Sequence, residues 1–227
     1  VRRDALWEAA NARRESSNPS ALYSDLGYLL VGAALERAFS LDLDWLLAQE
    51  VFQPRGLRVG SARAFHSHCS DFLSKVVPTE IQPPRGGLLR GVVHDDNAWA
   101  LAGSASAGHA GLFGNLTSIL RFGRQILDHV EGRDGAERQS QFLPLIGPRE
   151  GGTLRMGFDG VTQPGSLAGS RATEHTFGHL GFTGTSLWID PGQQKVTVLL
   201  CNRVYPNRLS PGLAALRPKI HDFLWRY

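Results

Sequence analysis

The segment Gly184 to Asn202, GTSLWID-PGQQ-KVTVLLCN, constrains the fold more than any other part of this chain. Its two runs alternate apolar with polar residues and are rich in Val, Ile, Leu and Thr, the signature of strands with differing faces. Pro191-Gly192 between them is a turn signal. A connection that short joins only antiparallel neighbours, because a parallel crossover needs a dozen residues or more. A lone hairpin is marginal in water, so the rest of the chain must supply its cover. TLRMGFD, residues 153 to 159, is a weaker strand candidate in the same half, and LRPKIHDFLWRY reads as a closing helix with Pro218 in its first turn.

Upstream the period changes from two to nearly four. Residues 4 to about 14 read as a short helix ended by ESSNPS. From Ser24, which is placed to cap, Leu26, Leu29, Leu30, Ala33, Ala34 and Leu35 fit a buried helix to about Ala38. Asp42 or Asp44 starts another through Trp45, Leu46 and Val51, stopped by Pro54 and Gly56. Residues 57 to 92 show little periodicity and read as an irregular excursion, and residues 103 to 114 as a Gly/Ala/Ser loop. Asn115 stands as the N-cap of an amphipathic helix carrying Leu116, Ile119, Leu120, Ile126, Leu127 and Val130. Helices first, then antiparallel strands, then a helix argue for a mixed α/β (α+β) architecture with a helical lobe.

Composition removes several function classes. The formal net charge is +3, with three lysines, Lys75, Lys195 and Lys219, among 24 basic residues. The arginines are scattered rather than clustered, which argues against nucleic acid as a partner. LGYLLVGAAL, the longest apolar stretch, is half the ~20 residues a bilayer span needs. The first residues have no apolar central region of the kind a signal peptide carries. Cys69 and Cys201 form no CxxC pair and read as reduced structural residues. No phosphate-binding GxxxxGK[ST] and no GxSxG elbow occurs. His66, His68 and Cys69 stand together in HSHC without a matching pair elsewhere, so no tetrahedral metal set is complete. HDD, residues 94 to 96, reads as a helix start capped by Asp95 or Asp96 rather than as a metal site.

Tyr23-Ser24-Asp25 at a helix mouth and His179-Leu180-Gly181 leading into a strand remain. Together with their surroundings, YSDLGYLL, HDDNAWAL, AGHAGLFGN and GHLGFTGTSLWIDP occur in an order that resembles the serine β-lactamase and penicillin-binding-protein-like hydrolases, in particular the class C-like branch with its esterases and D-aminopeptidases. The resemblance runs from residue 20 to the end. It implies one β-lactamase/transpeptidase-like domain over residues 1–227, mainly helical to about 150 and sheet with closing helix beyond. It implies acyl transfer to water through a serine acyl-enzyme, on a small-molecule or peptide substrate, with no cofactor and no metal. In that family an S-x-x-K motif supplies the nucleophile, a Tyr-x-Asn motif a base, and a Lys-Thr-Gly or His-x-Gly strand edges the site. By resemblance Tyr23 is the motif tyrosine, Asp25 stands at the asparagine position, and His179 and Gly181 match the third motif. The phenol of Tyr23, ordinarily near ~10, takes the serine proton only if cations such as protonated His179 stabilise its phenolate. Gly181 lets substrate lie against the strand, and the N–H of Phe182 is then half of an oxyanion hole.

Two departures follow. Asp25 replaces the usual asparagine and His179 the lysine, as in the esterase and peptidase relatives. No lysine has a serine three residues before it: Lys75 follows Phe72, Lys195 follows Gly192, and Lys219 follows Leu216. The family's nucleophile motif precedes the tyrosine motif, so the expectation is a chain that begins after it and is inactive alone. The alternative is a non-catalytic peptide- or peptidoglycan-binding protein that keeps the pocket.

Overall fold

The computed structural model describes residues 23–133, 144, 146–147, 151–162, 164–209 and 212–227. The helix expected at residues 4 to 14 lies outside them. The chain divides into two compact units, residues 1–115 and 116–227.

The first unit opens on helix α1 (Asp25–Phe39), whose N-cap Ser24 accepts from Leu26 N–H. Its C-cap Ser40 sits in the left-handed region at φ 54. Only Leu29 and Gly32 of α1 are buried, and Leu26, Val31 and Leu35 are exposed. The fully buried helix expected from the apolar pattern is therefore not what this unit shows. Helix α2 (Leu43–Leu46) is capped by Asp42 and continues into a π-helical turn, Leu47–Phe52. The excursion from 57 to 92 holds more structure than its pattern announces. It contains β1 (Val59–Ser61), α3 (Ala62–His68), α4 (Phe72–Lys75), and the two-residue strands β2 (Ile81–Gln82) and β3 (Gly87–Leu88). Helix α5 (Asp96–Ala102) starts at its N-cap Asp95, and β4 (Leu112–Gly114) pairs antiparallel with β1. The end of the Gly/Ala/Ser loop is thus a strand.

Small residues set the packing here. Ala62, Val93 and Ala98 are fully buried against Ala107, Ala110 and Phe113. A Cβ on Gly108 would stand 1.7 Å from the carbonyl oxygen of Tyr28, and one on Gly32 would stand 3.1 Å from Gly108. The loop before β4 therefore lies backbone to backbone on α1, which only glycine permits. Asp44 ties the same loop down: its carboxylate accepts from Ser106 N and Oγ, from Ser61 Oγ and from Arg63 Nε.

In the second unit, strands β5 (Asp159–Gly160), β6 (Phe177–Leu180), β7 (Ser186–Asp190) and β8 (Lys195–Leu199) form one antiparallel sheet in that order. Asp190 pairs with Lys195 across the Pro191–Gln194 turn, as the hairpin pattern requires. Helix α6 (Leu116–Val130) begins directly after Asn115 and covers one face. Leu127 and Val130 pack there with Ile146, Phe177 and Ile189. Trp188 points to the opposite face and meets Trp225, Ala168 and Ala172. Successive residues of β7 thus fill two cores, which is why SLWID is apolar without a solvent-facing side. Helix α7 (Gly212–Leu224) closes the unit. It starts earlier than expected, because the run after Gly212 is rich in good helix formers. Pro218 consequently lies inside the helix and not in its first turn.

Candidate active site

Tyr23 and Asp25 stand at the mouth of α1 in the first unit, and His179, Gly181 and Phe182 at the end of β6 in the second. Each group has its own geometry.

The cap expected at Ser24 is present, and Tyr23 and Asp25 flank it. Ser24 occupies the cap, so Asp25 is left in the first helical turn with its carboxylate available. Tyr23 is more than half exposed, and its hydroxyl donates to Asp25. Partial burial, the bond to Asp25 and the charges of Asp25 and Asp95 push the phenol up to about 12. The carboxylates thus oppose a standing phenolate, and any base role for Tyr23 demands cations from elsewhere.

Asp95 reaches the same corner from α5. Its Oδ1 accepts from Ala98 N–H at 2.7 Å and lies 2.9 Å from His109 Nε2. Burial alone would push its carboxyl up, but the bonds from Ala98 and His109 outweigh that and hold it below its ordinary range. His109 comes from the glycine-locked loop and is only 6% exposed at its side chain. Sequence reading placed Asp95 correctly as a cap and gave His109 no role. His94, the first residue of HDD, turns away to a buried pair with Glu80 at 3.0 Å. In HSHC, His66 Nε2 meets the Gly91 carbonyl at 2.9 Å and Cys69 Sγ donates to Asp71. Those residues therefore serve local packing. A cavity of about 200 Å³ lined by Leu29, Gly32, Glu36, Asp44, Arg63 and Ser106 contains none of the anticipated site residues.

His179 is part of β6, opposite Leu187, and leads through a tight turn into β7. Its Nδ1 is 2.8 Å from the Leu180 carbonyl. After it the chain turns tightly: Gly181 N–H donates to Thr185 O at 2.7 Å and Gly184 N–H to Gly181 O at 3.0 Å. A Cβ on Gly181 would stand 2.1 Å from Thr185 Oγ1, so any side chain there would have to displace that hydroxyl. Phe182 is exposed, with the Arg203 guanidinium 4.3 Å from its ring centroid and that of Arg208 at 5.6 Å. Arg203 Nε also donates to the Phe182 carbonyl at 2.6 Å. This corner is cationic, which nothing in the GHLG pattern announced.

A helix-rich unit and an antiparallel sheet covered by α6 and α7 are the elements of the β-lactamase/transpeptidase-like fold. The chain belongs to the β-lactamase family, whose model matches residues 3–221. It is 28% identical over 200 residues to a "Putative D-alanyl-D-alanine carboxypeptidase" of Escherichia coli K12, covering 80% of this chain and 45% of that protein. It is 27% identical over 203 residues to an "N-acetylmuramyl-L-alanine amidase" of Bacillus subtilis, covering 84% of this chain and 46% of that one. The chain thus spans about half the length of these curated relatives. Two solved structures share the fold. A β-lactamase from Mycobacterium bovis superposes with a TM-score of 0.57 at 16% identity, over 91% of this chain and 64% of its own. A simvastatin synthase mutant from Aspergillus terreus gives 0.58 at 16% identity, over 99% and 60%.

Proposed function

We propose that this chain is part of a β-lactamase-related serine hydrolase acting on an ester, an amide, a D-amino-acid peptide or a β-lactam. The observation that carries the reading is the family match across residues 3–221, which includes both the Tyr-x-Asp helix mouth and the His-x-Gly strand end. The names of the peptidase and amidase relatives support a hydrolase. In this reading a serine outside these 227 residues attacks the substrate carbonyl and is acylated, and water then releases the acyl group. Tyr23 and Asp25 handle the nucleophile's proton, with Tyr23 held as a phenol by Asp25 until a cation approaches. His179 presents its imidazole at the strand end. Gly181 and the Phe182 N–H line the substrate, the latter donating to the developing oxyanion. The turn after β6 fixes that N–H, and the arginines around Phe182 add charge suited to a substrate carboxylate.

The lack of any S-x-x-K in the sequence favours a second reading for the chain alone: a pocket that binds peptide or peptidoglycan fragments without turnover. The test is acylation by a fluorescent penicillin and by p-nitrophenyl esters, read by mass spectrometry. It is run on this chain and on the longest in-frame product that contains it. The hydrolase reading expects no adduct on the 227 residues and an adduct on an upstream serine of the longer product, lost about 100-fold or more in rate in Tyr23→Phe or His179→Ala. An adduct on a serine within residues 1–227, or a longer product that stays unacylated, overturns it.

A further inference from the structure

The strand end that carries His179 and Gly181 also carries Thr185. Strands β6 and β7 pair with His179 opposite Leu187 and Leu180 opposite Ser186, so Gly181 lies opposite Thr185 just past the ladder. Gly181 N–H donates to Thr185 O at 2.7 Å and closes that end. Side chains directly opposite one another share a face, and the face repeats every second residue. Phe177, His179 and Gly181 therefore stand on one face with Thr185, Leu187 and Ile189. Phe177, Leu187 and Ile189 pack with Leu127 and Val130 of α6. His179, Gly181 and Thr185 continue the same face beyond that core, and none of the three is fully buried.

Glycine leaves a gap in this face, and the Thr185 hydroxyl fills it. A Cβ on Gly181 would stand 2.1 Å from Thr185 Oγ1 and 3.4 Å from Thr185 Cβ, so the hydroxyl leans across the strand pair onto bare main chain. A β-branched residue at the start of a strand needs no function to explain it. That accounts for the residue type and not for the hydroxyl. Other hydroxyls of this unit are tied down: Ser186 and Thr197 to His221, Thr173 and Thr176 to Asp190. The turn from Gly181 to Thr185 needs nothing from Oγ1 either. Main-chain bonds close it, Arg203 N–H meets the Thr183 carbonyl, and Cys201 Sγ meets that of Gly184. Among the described residues, no hydrogen bond uses Thr185 Oγ1.

We propose that Thr185 is a specificity-determining residue of the acyl-transfer site, its hydroxyl hydrogen-bonding a polar substituent on the acyl group of the substrate. The inference rests on the acyl-transfer reading, in which Gly181 and the Phe182 N–H line the substrate. A substrate laid on Gly181 meets Oγ1, because the hydroxyl occupies the side of Gly181 that carries no side chain. A hydroxyl both donates and accepts, so it serves an amide N–H or a carbonyl oxygen. An acyl group bearing only alkyl would cover that hydroxyl and leave it unpaired, which costs binding. The site thus favours acyl groups with an acylamino substituent, as in an N-acyl amino acid, over plain alkyl ones.

The test uses the longest in-frame product that contains this chain. Its substrates are the p-nitrophenyl esters of N-acetyl-D-alanine and of propionate, which differ in the acetamido group alone. Acylation of the unsubstituted product by a fluorescent penicillin is measured first, and its absence sinks the acyl-transfer reading and this inference with it. Where the adduct forms, kcat/KM corrected for each ester's rate with hydroxide should be at least about tenfold higher for the acetamido ester. Thr185→Val keeps the shape of the side chain, removes the hydroxyl and should cut that preference about tenfold. Thr185→Ser should restore it. A preference unchanged in folded Thr185→Val, or not recovered in folded Thr185→Ser, overturns the assignment. Equal corrected rates on both esters for the unsubstituted product overturn it too, whether or not either variant folds.

Discussion

His221 offers the sharpest test of the second unit. Its ring is fully buried between the sheet and α7, with Nε2 2.8 Å from Ser186 Oγ and Nδ1 3.2 Å from Thr197 Oγ1. Burial, reinforced by Arg217 and only partly opposed by Asp222, lowers its pKa from 6.5 to about 4. Between those values the unfolded chain binds a proton that the folded chain refuses. Stability is therefore full above the unfolded value, falls as the pH drops from 6.5 towards 4, and levels off below. At about 1.36 kcal/mol per pH unit the whole gap is worth about 3 kcal/mol, of which about 2 kcal/mol is lost between pH 7 and pH 5. The buried carboxyls work in a lower window. Burial raises Asp44 and Asp190, but hydrogen bonds from Ser106 and Ser61, and from Thr176 and Gln193, hold both below the ordinary 3.8. Their contribution is present above that value and is lost only as the pH falls through their lower native ones. Urea midpoints at pH 7, 6 and 5 for the unsubstituted chain and for His221→Gln separate the two effects. The difference in slope between the two chains should approach the full His221 share. Parallel pH dependences for both would refute the burial argument.

Two substitutions probe the packing directly. Asp44→Ala removes the acceptor of Ser61, Arg63 and both groups of Ser106, and should cost about 3 kcal/mol by chemical denaturation. Gly178→Ala would put a Cβ 2.0 Å from the Leu187 carbonyl oxygen and 2.7 Å from the Trp188 ring, so a loss of about 3 kcal/mol or more is expected, read as a fall in melting temperature.

The hairpin, the sheet-covering helix, the Ser24 cap and a cap at Asp42 or Asp44 and at Asp95 or Asp96 were readable because each is a local signal: a two-residue period, an amphipathic stripe, a side chain beside its own helix start; the structure selects Asp42 and Asp95. What escaped was non-local. β1 and β4 are three residues each and pair across more than 50 positions, Val59 with Gly114, so neither displays a period. The strand that His179 leads into was legible, but β6 itself, which carries His179, is fixed by pairing with β7 on one side and β5 on the other. Tyr23, Asp25, His179, Gly181 and Phe182 were found through family resemblance. The structure adds what resemblance could not: the upward push on the Tyr23 phenol, the Thr185 crowding at Gly181 and the arginines around Phe182. His109 and Asp25 meet only because Gly108 and Gly32 let two backbones touch, and a glycine in a Gly/Ala/Ser loop does not reveal which helix it will touch.

That glycine contact has a consequence for how the corner can change. Its closest approach is between main-chain atoms, Tyr28 O against Gly108, with the Asp44 side chain holding the loop through Ser106. Residues 25 and 109 are side chains mounted on that frame, while Asp95 also caps α5. Substituting either of those two alters charge without moving the frame, while substituting either glycine moves both at once. New chemistry at the mouth of α1 therefore needs single replacements among polar residues, with the two glycines held constant.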